Sequence, residues 1–496
     1  MNRREALISL GLGSAGLLVA PGRCVAASGI ASGDLEALAD LFTRTPREGI
    51  LPAGARAAKA GAGWRGILGG AFLAGIREVR PRHVGGKLHC VMMVESAFQM
   101  CEQLPGEEAL VLALWALDDF KRSQARDESE GDWSLPPAPR VSFADEKAAR
   151  AELVAAMESW DDGKADRAIT GLLAFHDRES IFELLWPWAA RSFGSLGHKI
   201  IFAAQVDRIL GRLPWRHAEP ALRSLVQGLL DKDNGRRLTS AFDRSVAIAS
   251  SLPAGWREGR EDPARSAGIA SGILAADSAA AQRLVVDAFA SGLGPATVWD
   301  GLRLAASELF GRRRKGPPDS GGALLPVHAV TETEAFGYAF QSTRSDATRR
   351  LLVLQAAGWL PDMRAALESN GAQTAGAAGL LSPRPSEGAT GEAPSIDLRE
   401  AMDSGDPARL RAGLGSDGAR AESCRDLTRR GLARGGVEHH QHKYAAAFLA
   451  ESLRVSPRWA PAILAPSAGY LPAPGAAESG IALRSRAALR EAGLVP

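Results

Sequence analysis

Four segments of the sequence each place a histidine among apolar residues in a stretch that predicts a helix. They hold six of the nine histidines of the chain, and they are residues 87–93, 197–202, 326–331 and 439–445. A buried imidazole needs a polar partner, because an unpaired polar group in a protein core is costly. A single buried histidine finds that partner in a backbone carbonyl. Four on separate helices predict a shared partner, and a metal ion is the usual one.

The fourth segment offers two pairs of residues for such a site. His440 and Lys443 are three residues apart and therefore share a helix face, and so do His439 and His442. A buried lysine prefers to be neutral, and a neutral amine can add carbon dioxide to form a carbamate that binds a metal as a carboxylate does. The spacing permits either pair, and it also permits His442 to face solvent.

The order of these motifs resembles the questin oxidase-like family of non-heme iron oxygenases. The match runs through His89, Gly197-His198, the string Pro-Val-His-Ala-Val-Thr at 326–331, and His440-x-x-Lys443. The His-Ala-Val-Thr string at 328–331 is its most specific part. The resemblance implies a helical fold in which four histidines and a carboxylated lysine hold one iron. By position, the ligands would be His89, His198, His328 and His440, with Lys443 as the carboxylated residue.

This ligand set would leave room for a co-substrate. Four imidazoles and a carbamate fill five positions of an octahedron if the carbamate binds through one oxygen and six if it binds through both. A carbamate bound through one oxygen leaves the sixth position open for dioxygen. Imidazole with an oxygen donor suits iron but also copper, nickel and zinc. We therefore expect an oxygenase that uses dioxygen on a small organic substrate, for example an aromatic one. The alternatives are a zinc-dependent hydrolase and a metal-free helical scaffold that binds protein partners. Glu332 and Glu334 follow His328 and are predicted to be exposed helix carboxylates, the alternative being acceptors that orient an imidazole.

The apolar residues recur mainly at helical spacing, whereas alternating or Val- and Ile-rich runs are scarce. The pattern predicts an all-α protein, a single multi-helical globular domain over residues 28–496 with central metal-binding helices. The clearest helical stretches are 108–120, 146–160, 181–193, 200–210, 218–230 and 279–290. Loops are predicted at 127–141, 311–326 and 371–394, the last of them flexible.

The first 27 residues predict an export signal of the twin-arginine type. Arg3-Arg4 precedes an uncharged stretch at 6–20, and Val25-Ala26-Ala27 is a small-residue cleavage site. The mature chain would start near Ser28, with the twin-arginine export machinery as a partner and a periplasmic or other extracytoplasmic location in a bacterium. An ordinary secretory signal and a retained N-terminal anchor are the alternatives.

The composition is that of an ordinary soluble globular protein, with 46% hydrophobic and 23% charged residues. The net charge of +2 gives no reason to expect nucleic acid or an anionic membrane as a partner. Three cysteines remain beyond the predicted signal, so no disulfide framework is expected.

Overall fold

The computed structural model describes residues 34–82, 86–232, 235–314, 316–371, 396–415 and 418–496. Within these ranges the chain forms helices and turns and no β-sheet, so the all-α prediction is confirmed. The predicted export signal at 1–27 lies outside the described residues, and of the predicted flexible loop at 371–394 only Gly371 lies within them.

The first half of the described chain contains ten helices around two of the four histidine segments. They are α1 (Asp34–Arg44), α2 (Arg47–Ala57), α3 (Gly63–Glu78), α4 (His89–Cys101), α5 (Gly106–Glu130), α6 (Glu146–Ser159), α7 (Asp162–Leu172), α8 (Arg178–Ala189), α9 (His198–Leu210) and α10 (Ala218–Leu229). A π-helical turn at Ala58–Ala62 joins α2 to α3.

The second half of the described chain is also helical, and α15 and α16 are the longest helices in this half. The helices are α11 (Ser240–Ile248), α12 (Ser266–Ala275), α13 (Ser278–Ala290), α14 (Pro295–Gly311), α15 (Gly321–Ser342), α16 (Asp346–Ser369), α17 (Leu398–Asp403), α18 (Pro407–Leu414), α19 (Gly418–Gly435), α20 (His439–Arg454), α21 (Ala460–Leu464) and α22 (Gly480–Glu491). Short 3₁₀ turns connect several of them, among them Gly194–Gly197 immediately before α9.

Local sequence explains many of the helix starts. Asp145, Asp161, Asp177 and Asp277 each precede a helix, and each side chain accepts a hydrogen bond from a backbone N–H of the first turn. One predicted loop is displaced along the chain, from 127–141 to 131–145, and the loop predicted at 311–326 is shorter than expected. Helix α5 continues to Glu130, and α15 begins within the predicted loop at 311–326.

The four helices that carry the histidine motifs pack side by side as a closed ring. Helix α4 contacts α9 and α20, and α15 also contacts α9 and α20. Other helices surround this ring, so that every side chain of α4 except Gln99 is buried. Such helices are apolar nearly all round because no face meets water. None of the helices in the described ranges is both long and apolar enough to cross a membrane.

Candidate metal centre

Four histidines from the four ring helices meet at one buried point. One ring nitrogen from each of His89, His198, His328 and His440 lies within 4.8 Å of the others. His198 is central, since its Nε2 is 2.9 Å from Nε2 of His89 and 3.1 Å from Nε2 of His328. The ring of His440 lies 4.4 Å from that of His89 and 5.5 Å from that of His328, centre to centre. The structure therefore brings together all four histidines that the sequence singled out.

The hydrogen bonds at Nδ1 fix the tautomer of three of these rings. Nδ1–H of His198 donates to the carbonyl of Ser195, and that of His328 donates to the carbonyl of Leu324 at 2.7 Å. Nδ1–H of His440 donates to the carboxylate of Glu438 at 3.0 Å. A neutral imidazole that donates through Nδ1 carries a lone pair on Nε2. His198, His328 and His440 therefore each carry a lone pair on Nε2 that is available to a metal ion.

Burial keeps these imidazoles in the neutral form. All four side chains are buried, and desolvation lowers the pKa of His89, His198 and His440 well below the ordinary range. The same effect lowers the pKa of His328 to about 3. Neutral imidazole is the form that binds metals.

The segment before His198 is shaped by an unusual backbone. Ser195, Leu196 and Gly197 all have positive φ angles, of 55°, 56° and 76°, which turn the chain sharply into α9. The carboxylate of Glu332 fills the place of a side chain at Gly197, because a Cβ there would lie 1.6 Å from Oε2 of Glu332. Only glycine fits this position, which sets the start of α9 and hence the place of His198.

Lys443 is also buried and lies beside the histidine group. Its Nζ is 3.3 Å from Nε2 of His198. Burial lowers the pKa of Lys443 to about 7, so that a large fraction of the amine is neutral near physiological pH. A neutral amine is the reactive form toward carbon dioxide.

The other two histidines of the fourth segment do not belong to the group of four. The possibility that His442 faces solvent is wrong, because the ring is buried and lies 4.2 Å from the ring of Trp115 on α5. His439 lies nearer the surface, and its Nδ1 is 2.7 Å from a guanidinium nitrogen of Arg122, which donates to it. His442 therefore lies outside the centre, whereas the ring of His439 lies 4.5 Å from that of His89 but contributes no nitrogen to the group of four.

Glu438 is a site residue that the sequence analysis missed. It is the N-cap of α20, where its carboxylate accepts from the backbone N–H of His440 at 2.5 Å and from Nδ1 of the same residue. It also lies 3.1 Å from Nε2 of His439, so that Glu438, His439 and His440 form a second close group. Hydrogen bonds account for this second group. The signal available in the sequence was a carboxylate two residues before a histidine at a helix start, the position of a cap.

The carboxylates that follow His328 are not exposed as predicted. Glu334 is buried and pairs with Arg208 and, at 2.8 Å, with Arg454, whose charges balance its own and lower its pKa. Glu332 is buried and has no hydrogen-bond partner among the residues that the structure describes, and desolvation raises its pKa well above the usual range. Neither accepts from His328, because the Nδ1–H of His328 donates to the carbonyl of Leu324.

A small cavity lies beside the centre, further along the same four helices. It has about 250 Å³ of space between atoms, of which about 10 Å³ can take the centre of a water molecule. Lys443 lines it together with residues that stand three to ten positions after the histidines: Glu95, Ser96, Gln99, Ile201, Gln205, Arg208, Thr331, Glu334, Ala335, Ala446 and Ala447. The ring helices therefore run in a common direction away from the histidine group.

Comparison with known proteins gives no relative for this chain. No family model, no curated protein and no solved structure matches it. The site must therefore be interpreted from its own chemistry.

Proposed function

We propose that this protein is a metal-dependent oxidoreductase, a mononuclear non-heme iron oxygenase that acts with dioxygen on a small organic substrate. His89, His198, His328 and His440 would hold the ion, and Lys443 would contribute an oxygen ligand as a carbamate. The observation that carries the proposal is the convergence of four neutral, buried imidazoles on one point.

The arrangement of the nitrogens supports a cation between them. Nε2 of His198 and Nε2 of His328 are 3.1 Å apart, and both carry lone pairs, which repel each other without a proton or a cation to share. Two nitrogens bound at right angles about 2.1 Å from one ion lie about 3.0 Å apart. The distances of 2.9 and 3.1 Å are close to this value, so that one ion can be bound by Nε2 of His198 together with Nε2 of His89 and of His328.

The surrounding helices favour an anionic ligand in addition to the imidazoles. Helices α4 and α9 begin at His89 and His198, and α20 begins one residue before His440. Each helix start carries a partial positive charge, which disfavours a cation unless negative charge accompanies it. A carbamate on Lys443 would supply that charge from within reach of His198.

We assign iron to this site because iron binds imidazole and oxygen donors and also supports redox chemistry. Iron held by imidazole and oxygen donors supplies one-electron chemistry with dioxygen. The residues of the chain would hold and shield the iron, since all four histidines are buried away from bulk water.

Metal analysis of the purified protein tests this proposal. We expect about one equivalent of iron per chain by elemental analysis, and loss of most of it in His198→Ala, the central residue of the group. The control is His176→Ala, a histidine that bonds to Glu146 outside the centre. One equivalent of zinc with no iron would instead indicate a hydrolase, and no bound metal would indicate a scaffold.

Lys443 needs a separate test, because the histidines alone could retain an ion. Lys443→Ala should lower iron occupancy, and added bicarbonate should improve reconstitution of the wild type but not of the variant. His442→Ala is the matched control on the same helix, and its iron occupancy should stay close to that of the wild type. Full occupancy in Lys443→Ala together with loss in His442→Ala would overturn the ligand assignment.

A further inference from the structure

The cavity beside the histidine group is lined largely by polar side chains and is small. Space for the centre of a water molecule amounts to about 10 Å³, which is about enough for one water-sized molecule. An aromatic molecule does not fit there. Whatever occupies the cavity must therefore be small, and it meets Lys443, the one amine among the lining residues.

One polar atom at the cavity has no partner within the described protein. Oε1 of Gln205 is buried and accepts no hydrogen bond, although the amide nitrogen of the same side chain donates to the carbonyl of Met92 at 3.4 Å. A buried acceptor of this kind indicates that a donor is brought by a guest molecule or by a chemical change nearby. A lysine carbamate would bring such a donor, since its nitrogen retains one N–H.

Glu95 lines the same cavity, and its carboxylate makes no ion pair closer than 3.6 Å with the described residues. Glu95 is fully buried and accepts from Nε2 of Gln99 at 2.8 Å, whereas the guanidinium groups of Arg208 and Arg212 stay at 3.8 and 3.6 Å. Glu334, by contrast, is held directly by two arginines. Glu95 is therefore the lining carboxylate best suited to accept a proton.

We propose that this cavity is the site where carbon dioxide reaches Lys443 and where Glu95 receives the proton that carbamate formation releases. The inference rests on the proposed function, since it assumes that Lys443 becomes carboxylated.

The reaction needs no oxidant or reductant. The lone pair of the Lys443 amine forms a bond to the carbon of carbon dioxide, and the electrons of one C=O π bond move onto its oxygen, which becomes the carbamate C–O⁻ while the other C=O bond remains. One N–H proton leaves the nitrogen and passes to the Glu95 carboxylate. The remaining N–H is then available to Oε1 of Gln205.

The test compares the wild type with a variant whose larger side chain fills the cavity, and it measures the rate of carbamate formation. Metal-free protein is freed of carbon dioxide and mixed with ¹³C-bicarbonate, and the carbamate carbon is followed by ¹³C NMR. The signal is assigned by its absence in Lys443→Ala. In Ala446→Val two added methyl groups occupy the cavity, and we expect carbamate formation to slow by about tenfold or more.

A second cavity provides the matched control. It has the same room for a water-sized molecule and lies against Tyr444, the neighbour of Lys443 on α20, but Lys443 does not line it. Ala306→Val fills that cavity and should leave the rate of carbamate formation as in the wild type. Ala447→Val replaces Ala446→Val if circular dichroism shows that the latter does not fold.

Glu95→Gln tests the proton acceptor, with Glu102→Gln on the surface as its control. We expect carbamate to form more slowly in Glu95→Gln than in the wild type, and at the wild-type rate in Glu102→Gln. Equal rates in the wild type and the cavity-filling variants would overturn the proposed route while leaving the carbamate itself intact. No carbamate signal in the wild type would overturn both the route through the cavity and the carbamate on Lys443. Metal analysis of the purified protein would still decide whether the four histidines bind a metal ion.

Discussion

At the scale of single residues, the partner at Nδ1 decides what each histidine can do. His440 and His439 are adjacent, yet Nδ1 of His440 donates to Glu438, whereas Nδ1 of His439 accepts from Arg122. The first arrangement leaves a lone pair on the nitrogen that faces the centre, and the second does not. A carboxylate behind a metal-binding imidazole also fixes the orientation of the ring and raises its basicity.

Glu438→Gln tests this orienting role. A glutamine keeps the size of the side chain, but it removes the negative charge and presents a donor group to the N–H groups of His440. We expect metal affinity to fall by about 10- to 100-fold, measured by competition with a chelator. Glu146→Gln is the control, because Glu146 also bonds to a histidine, His176, outside the centre. Equal loss of affinity in both variants would show that Glu438 has no special part in holding His440.

The sequence predicted the residues of the centre better than their supporting partners. Apolar neighbours mark His89, His198 and His328 as buried, whereas the choice of His440 with Lys443 over His439 with His442 came from the family resemblance, because helical spacing permits both pairs. The place of His442 could not be predicted, because its neighbour Trp115 comes from a helix more than 300 residues earlier in the chain. The burial of Glu334 likewise depends on Arg208 and Arg454, whose proximity is a property of the packed helices.

At the scale of helices, the centre depends on where each helix begins. Helical periodicity predicted the existence of α5, α6, α8, α9, α10 and α13. Their ends differ from the prediction by at most four residues, except that α5 continues ten residues further, to Glu130. Helical periodicity did not predict the three left-handed residues before His198, because a pattern of apolar residues carries no information on the contact between Gly197 and Glu332 of α15. The start of α9 is nevertheless what places the central imidazole.

Gly197→Ala should disturb this start. The new methyl group would meet the Glu332 carboxylate, and the φ angle of 76° is unfavourable for alanine. We expect lower stability in urea unfolding together with reduced metal affinity. Gly292→Ala is the matched control, because Gly292 has a φ angle of 84° but no atom within 4 Å of its added Cβ. That variant should lose only about 1–2 kcal/mol of stability and keep its metal. Unchanged metal affinity in Gly197→Ala would show that this turn does not position His198.

At the scale of the whole molecule, the fold buries several basic groups in their neutral forms. The pKa of His328 is lowered to about 3, that of His442 to about 4 and that of Lys443 to about 7, in each case chiefly by burial. In the unfolded chain the histidines titrate near pH 6.5 and lysine near 10.4. The unfolded state therefore binds more protons than the folded state over a broad range of pH.

This difference predicts that the metal-free protein becomes less stable as the pH falls. Each buried histidine lowers the free energy of unfolding by about 1.4 kcal/mol per pH unit from pH 6.5 down to its folded pKa. Lys443 acts with the same sign between about pH 10.4 and its folded value near 7. Urea unfolding of chelator-treated protein between pH 5 and 8 measures the slope. His442→Phe, which removes one such group without touching the four converging histidines, should reduce the slope below pH 6.5 by about one proton. Stability that is constant or increases between pH 6.5 and 5 would mean that the buried histidines accept protons in the folded state, which would contradict a neutral, metal-ready centre.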